Sequence, residues 1–180
     1  MKKFFKSLML ISVCLGLSAT VNAKTFRYAT TGDILGLDPH ANNEGPTNTM
    51  KGNIYGRMLH RKADLSLEPD LATKWEKLDA NTWRFSLRRG VKFHNGNDFN
   101  ADDVLFSYKR QTQEASDMSF ALATIKQINK VDDYTVDLIT KGPDPILLLN
   151  MPMFYIVDKE WTEANNAFEV VRASGSTNFA

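Results

Sequence analysis

Apolar and polar side chains alternate along the stretch "TWRFSLR" near the middle of the chain. Trp83, Phe85 and Leu87 lie on one side of this stretch, and polar side chains lie on the other. A period of two is typical of a strand with one buried face. The segment 73–78, "TKWEKL", precedes it, and the turn-forming residues 79–81 lie between the two. The pattern therefore predicts a β-hairpin.

A second hairpin is predicted further along the chain. Tyr134, Val136 and Leu138 alternate with polar residues after an Asp-Asp turn, and the segment 125–131 supplies a partner strand. Strands with polar outer faces favour antiparallel pairing, because parallel strands are usually buried on both faces.

Between the hairpins, "NADDVLFSYKRQTQE" predicts a helix. Asn100 is a favourable N-cap, since its side-chain oxygen can accept a hydrogen bond from a free amide of the first turn. Asp102 and Asp103 then occupy positions N2 and N3, where the positive end of the helix favours carboxylates. The apolar face at helical spacing consists of Val104, Leu105 and Tyr108.

The rest of the chain gives weaker patterns. A strand is expected at 25–30, followed by a loop rich in Gly, Pro, Asn and Asp. Pro46 is suited to the first turn of a helix, which is predicted over 46–59 although its glycines weaken it. The apolar segment 146–151 predicts a short buried helix or strand, and a helix is predicted over 158–166, capped by Asp158.

The first 23 residues have the pattern of a secretory signal peptide. Three lysines precede an apolar segment, and "VNA" supplies small residues for cleavage after Ala23. Acylation of Cys14 is the alternative, in a lipid-anchored protein. Cleavage would remove three of 22 basic residues and none of 21 acidic ones. The signal peptide predicts export to the periplasm. The remaining chain is slightly acidic, so we expect no nucleic-acid partner.

The stretch "GVKFHNGNDFNADDV" concentrates histidine and aspartate and raises the question of a metal or acid/base site. In that interpretation His94 would act with Asp98; the alternative is a structural turn, in which Asn95-Gly96 supplies the positive φ. His40 and His60 lie far away in sequence and form no recognised metal motif, so His40 is expected to be exposed or locally hydrogen-bonded. We expect no catalytic residue, no metal site and no cofactor.

The segment from Leu67 to Arg110, "LEPDLATKWEKLDANTWRFSLRRGVKFHNGNDFNADDVLFSYKR", is similar to the signature region of the family 5 extracellular solute-binding proteins. These are the peptide-binding components of ABC importers. The family pattern is matched from Leu67 to Ser107 almost without gaps, and "LDPH" at 37–40 also fits. The resemblance covers essentially the whole chain after the signal segment.

The resemblance implies an α/β fold of the class II periplasmic-binding-protein type, locally α+β, with an extra domain beside two lobes. Residues 24–55 would begin the first lobe, 56–165 would form the extra mixed α/β domain, and 166–180 would be a truncated return to the first lobe. The second lobe would be absent. A family member's solute is held between both lobes, so we expect an N-terminal fragment that does not bind solute usefully by itself.

The resemblance also implies ligand-binding residues. Asn43, Glu44 and Gly45 match a Glu-Gly step on the first-lobe side of the cleft, where backbone groups would pair with an extended peptide and a carboxylate could meet its ammonium end. An ordinary turn is the alternative, and Pro46 removes one possible backbone donor. Phe120 is a candidate for the cleft edge, with a core position as the alternative.

The expected function is a monomeric periplasmic solute-binding component that delivers a peptide or peptide-like solute to an ABC importer membrane permease. Nickel chelates, opines or sugars are alternative solutes within the same family. A secreted metal-dependent hydrolase that uses His94 is the alternative from another class, and an interaction module is a third possibility.

Overall fold

A computed structural model of the protein describes residues 32–172, together with residues 25, 27 and 29. The described elements belong to one unit, Thr31–Ala180. In chain order the helices and strands are α1 (Gly45–Ile54), β1 (Leu59–Arg61), β2 (Leu67–Pro69), β3 (Ala72–Lys77), β4 (Thr82–Leu87), α2 (Ala101–Gln111), β5 (Ile125–Asp132), β6 (Thr135–Thr140), α3 (Leu147–Asn150) and α4 (Lys159–Ala164). Short 3₁₀ turns at Ser119–Leu122 and Met151–Met153 complete them.

The larger sheet has four antiparallel strands in the order β3-β4-β6-β5. Both predicted hairpins are confirmed, as β3–β4 and β5–β6. They are joined along β4 and β6, where Phe85 lies opposite Val136. The hairpins share one sheet because the apolar faces predicted by their alternation are buried in a single core.

That core lies between the sheet, α2 and the segment 147–156. In β6 the buried and half-buried positions alternate strictly, as expected for one covered face. Asn100 caps α2, with its Oδ1 2.7 Å from the Asp102 amide nitrogen, and Asp103 completes a capping box. The largest fully buried apolar side chains of the core are Phe85, Phe99, Phe154, Met58, Leu59, Leu122, Ile125, Leu138 and Leu147.

The helix predicted over 46–59 is wrong in its second half. Helix α1 ends at Ile54, and Tyr55 is extended with φ −105° and ψ 137°. A Cβ at Gly56 would lie 2.9 Å from Leu71 Cδ1, so close packing of backbone against side chain replaces helix there. Leu59 instead enters strand β1, whose hairpin with β2 was not predicted.

The two C-terminal helices are confirmed, although the first is only partly buried, because Ile146 and Leu149 are exposed. The segment 146–151 contains the short helix α3, and α4 begins after Asp158, whose Oδ1 accepts a hydrogen bond from the Trp161 amide at 3.0 Å. The signal peptide, Cys14 and most of the strand predicted at 25–30 lie outside the described residues. Among the described residues, no helix has the length and apolar character needed to cross a membrane.

Candidate functional site

The loop that leads into α1 is fixed to the rest of the protein by hydrogen bonds to its backbone carbonyls. The carbonyl oxygens of Leu37, His40, Ala41 and Asn42 all accept hydrogen bonds from groups outside the loop. The donors, in the same order, are Tyr55 Oη (2.8 Å), Ser116 Oγ (2.8 Å), the Asp117 amide (3.2 Å) and Lys51 Nζ. The backbone up to Asn42 is therefore held in one conformation.

Beneath this loop lies an ion pair that is wholly buried. Both oxygens of Asp38 accept hydrogen bonds from the Arg110 guanidinium, at 2.8 and 2.7 Å, and both side chains are 0% exposed. Arg110 Nε also donates to the Ala167 carbonyl at 3.0 Å. The bidentate geometry ties the loop before α1 to helix α2 and to the segment after α4.

His40 extends this arrangement. Its Nε2 donates to the Tyr155 carbonyl at 3.0 Å, which leaves Nδ1 as the acceptor for Arg110, also at 3.0 Å. This pattern needs the neutral imidazole. Burial, followed by the Arg110 charge, lowers the pKa of His40 to about 3. Burial opposes ionisation of Asp38, but the hydrogen bonds and charge of Arg110 outweigh it and hold the pKa of that carboxyl below its ordinary value.

Lys51 is the second buried cation of this region. It lies on α1, is fully covered, and donates from Nζ to the Asn42 carbonyl. Burial lowers the pKa of its ammonium to about 8, although the charges of Asp38, Glu44 and Asp117 oppose the shift. We call Asp38, His40, Lys51 and Arg110 the buried polar cluster.

The predicted ligand residues follow directly after these anchors. Asn43 and Gly45 are exposed and Glu44 is half-buried. Glu44 caps α1, because its Oε1 accepts a hydrogen bond from the Thr47 amide at 2.9 Å. The Asn43 side chain accepts one from Asn48 Nδ2 at 2.7 Å.

In the part of the chain that the structure describes, most backbone groups of the same three residues have no hydrogen-bond partner. Among the described residues, no hydrogen bond involves the amide groups of Asn43, Glu44 and Gly45 or the carbonyl of Asn43. The next residue, Pro46, carries no amide hydrogen. An exposed row of free donors beside a free acceptor is the arrangement that can pair with an extended ligand.

Phe120 does not join this group by any contact in the described part of the chain. Its side chain is 48% exposed, and it borders a pocket of about 260 Å³ with Tyr108 and Lys141. The chain just before it is linked to the anchored loop through Ser116 and Asp117. Its place at a cleft edge remains a prediction.

Among the described residues, the stretch around His94 forms no site that pairs His94 with Asp98. Asp98 pairs with Lys92 at 2.7 Å, while His94 is exposed and makes no hydrogen bond to another described residue. Gly96 has φ 95°, as the turn interpretation requires. The side-chain amides of Asn95 and Asn97 both donate to Asp158 Oδ2, at 2.7 and 2.8 Å, so the turn is fastened to the cap of α4.

A group of three carboxylates lies nearby. One oxygen each of Asp103, Asp158 and Glu160 lies within 4.8 Å of the others, and burial raises the pKa of Asp103 to about 6. Both oxygens of Asp103 accept backbone amide hydrogen bonds, from Asn100 at 2.9 Å and Lys159 at 3.0 Å. Backbone hydrogen bonds at the starts of α2 and α4 therefore account for both Asp103 oxygens.

His40 was expected to be exposed or locally hydrogen-bonded. Its amide does donate a local hydrogen bond to Asp38 Oδ1 at 2.9 Å, but its side chain is neither exposed nor locally bonded. It is fully buried, and its partners Arg110 and Tyr155 lie 70 and 115 positions away. Asp38 and Arg110 were missed altogether as a pair. No spacing rule connects residues 72 positions apart; only the rarity of unpaired buried charge could have hinted at a partner for Asp38.

Comparison with known proteins shows which family the chain resembles in sequence and fold. The family described as bacterial extracellular solute-binding proteins, family 5, middle, matches residues 66–176. The dipeptide-binding protein of Escherichia coli K12 is 32% identical over 176 residues, which is 84% of this chain and 33% of that protein.

Two solved structures add fold similarity at comparable identity. DppA of Helicobacter pylori, a periplasmic binding protein in complex with the peptide STSA, is 30% identical with a TM-score of 0.64, covering 74% of this chain and 31% of that one. MoaA of A. tumefaciens R10, in complex with mannopinic acid, is 31% identical with a TM-score of 0.67, covering 74% and 29%. The chain thus spans about a third of the length of these relatives.

Proposed function

We propose that this chain, which belongs to the bacterial extracellular solute-binding proteins of family 5, presents one side of a peptide-binding site through the backbone of Asn43, Glu44 and Gly45. The fold is of the periplasmic-binding-protein type, and the relatives are binding proteins rather than enzymes. The expectation that the protein is not an enzyme agrees with these relatives.

The observation that carries the proposal is the contrast within one loop. The carbonyls of Leu37, His40, Ala41 and Asn42 are paired with groups outside the loop. The amides of Asn43, Glu44 and Gly45, in contrast, are free among the described residues. An unpaired backbone on a rigid support loses little conformational entropy when it pairs with a ligand. An extended peptide offers the complementary row of carbonyls and amides.

A single side of such a site binds weakly. The chain spans about a third of its relatives' length, and an apolar pocket of about 520 Å³ beside Phe93 and Trp161 contains none of residues 43–45. Solute-binding sites usually bury most of the ligand. We therefore propose that a second lobe supplies the remaining contacts, and that this chain alone has at best millimolar affinity for peptides.

The division of the chain is part of the proposal. Residues 24–55 and 166–180 would belong to the first lobe, and residues 56–165 to the extra domain. The protein would be exported by its N-terminal signal, act in the periplasm as a monomer, and deliver its solute to an ABC importer permease. A small acidic opine is the second candidate solute, favoured by the 31% identity to a protein solved with mannopinic acid.

Calorimetry and NMR together test the proposal. Titration of the chain with di- to pentapeptides should give no measurable heat at micromolar concentration, and micromolar binding would contradict the one-sided site. At 10 millimolar (a concentration on the order of the expected dissociation constant), trialanine should shift the amide resonances of Asn43, Glu44 and Gly45. Mannopinic acid serves as the comparison ligand. Shifts only with the opine would reassign the solute, and shifts with neither would remove the site.

A further inference from the structure

We infer that Lys51 is a positioning residue for the ligand-facing backbone of Asn43, Glu44 and Gly45. The inference rests on the proposed function, since it concerns how that site is held. Lys51 would not touch the solute. Its ammonium would fix the direction of the Asn42 carbonyl, and with it the peptide plane that ends at the Asn43 amide.

The geometry places Lys51 at the point where support is needed. The loop is anchored before Asn42 by the hydrogen bonds of His40 and Ala41, and after Asn43 by the Glu44 cap of α1. Between those two anchors, the described contacts of the Asn42 backbone reduce to the hydrogen bond from Lys51. Because C=O of Asn42 and N–H of Asn43 belong to one planar peptide unit, fixing the carbonyl also fixes the amide.

Burying a lysine at this place costs free energy, because its ammonium loses contact with water, and filling the space does not require a charged group. An apolar side chain of the same length would cover the same surface without desolvating an ammonium. Lys51 is nevertheless fully covered, and its partner is a backbone carbonyl rather than a carboxylate. The residue therefore serves as a donor.

Several charged or titratable groups surround this ammonium. Asp38 and His40 interact with it from the loop, Glu44 from the cap, and Asp117 from the segment after α2. Arg110 on α2 is paired with Asp38. The acids favour the charged form of Lys51, but burial dominates and lowers its pKa to about 8. Deprotonation would weaken the hydrogen bond to Asn42, because a charged donor bonds more strongly than a neutral one. The loop should thus respond to pH just above neutrality.

The test follows the loop amides of ¹⁵N-labelled chain from pH 6.5 to 9.5, without ligand. In wild type, the Asn43 and Gly45 resonances should titrate with a midpoint near the pKa of about 8. In Lys51→Met they should be displaced from the wild-type positions at pH 6.5 and should not titrate. Lys51→Arg, which stays charged, should keep the wild-type pH 6.5 positions over the whole range and should not titrate. Lys109→Met, at an exposed site on α2, is the matched control and should behave as wild type.

Peptide binding gives the second readout. In Lys51→Met, the trialanine-induced shifts of Asn43 and Gly45 at a fixed concentration should fall at least about threefold, and Lys51→Arg should restore them. Unchanged loop positions in Lys51→Met overturn the inference, as does failure of the arginine variant to restore them while it melts like wild type. If trialanine shifts nothing in wild type while the pH step at the loop is present, the proposed function fails and the positioning of the loop stands.

Discussion

The four-stranded sheet and the buried polar cluster are stabilised in opposite ways. The sheet buries apolar side chains of strands that are close in sequence, so each hairpin forms its own local unit. The buried polar cluster brings Asp38 and Arg110 together across 72 positions, and it satisfies charge rather than removing apolar surface from water. The sheet should therefore tolerate small losses of volume, whereas the cluster should fail as a unit when one charge loses its partner.

The sharpest test of that contrast is Arg110→Met. The substitution leaves the Asp38 carboxylate buried without its cation, and we expect a loss of about 3–5 kcal/mol in the free energy of unfolding. Urea denaturation followed by circular dichroism measures it. The double variant with Asp38→Leu should recover at least half of the loss, because the uncompensated charge is gone. If the double variant is as unstable as the single one, the pair acts through packing and the contrast is wrong.

In the sheet, Leu138→Ala provides the corresponding test. Leu138 is fully buried in β6, and its truncation leaves a cavity, so we expect a loss of about 3 kcal/mol. Leu78→Ala, at a residue that is 46% exposed, is the matched control and should change stability by less than about 0.5 kcal/mol. Equal losses at both positions would mean that alternation along the strands does not mark the core.

The same contrast explains what the sequence could predict. The hairpins, the capped helix α2 and the turn at Gly96 depend on neighbours within a few residues, so spacing and residue type sufficed. The end of α1 at Ile54 could not be predicted, because Leu71 forces it by packing against Gly56. Residues 43–45 came from the resemblance to the family.

The supports of that site depend on contacts made only in the folded protein. The sequence pattern does not mark Lys51, which lies on a weak helix, and it places His40 in a loop. The ring partners of His40, Arg110 and Tyr155, are brought to it by the tertiary fold. A candidate loop can thus be read from a family pattern, while the groups that hold it cannot.

Acid should act on the buried polar cluster before it acts on the sheet. The pKa of His40 is lowered from its ordinary 6.5 to about 3. Below pH 6.5, therefore, the unfolded chain binds a proton at His40 that the folded protein does not bind. The contribution of His40 to the free energy of unfolding is fully present above pH 6.5, and it falls by about 1.4 kcal/mol per pH unit below that pH. The stability advantage of wild type over His40→Asn should therefore shrink by about 2 kcal/mol between pH 6.5 and 5.0.

Asp103 provides a control of opposite sign. Its pKa is raised to about 6, so the folded protein takes up a proton before the unfolded chain does, and stability from this group rises as pH falls from 6 towards 3.8. Urea denaturation of wild type, His40→Asn and Asp103→Asn at several pH values separates the two contributions. A wild-type advantage over His40→Asn that does not change with pH would show that His40 titrates normally.

The smallest expected effect concerns the stretch that most resembles a catalytic site. Asn100→Ala removes the N-cap of α2 and should cost about 1 kcal/mol, whereas Asn100→Ser, which keeps a capping oxygen, should cost only a few tenths. Asn129→Ala, at an exposed position of β5, is the surface control and should be nearly neutral. Neither Asn100 variant should alter the trialanine-induced shifts of residues 43–45, because capping and ligand contact lie in different parts of the chain. A loss of those shifts in Asn100→Ala with stability intact would mean that the signature stretch influences the solute site. The sheet, which depends on neighbours in sequence, and the loop 43–45, which depends on distant residues, would then not be independent.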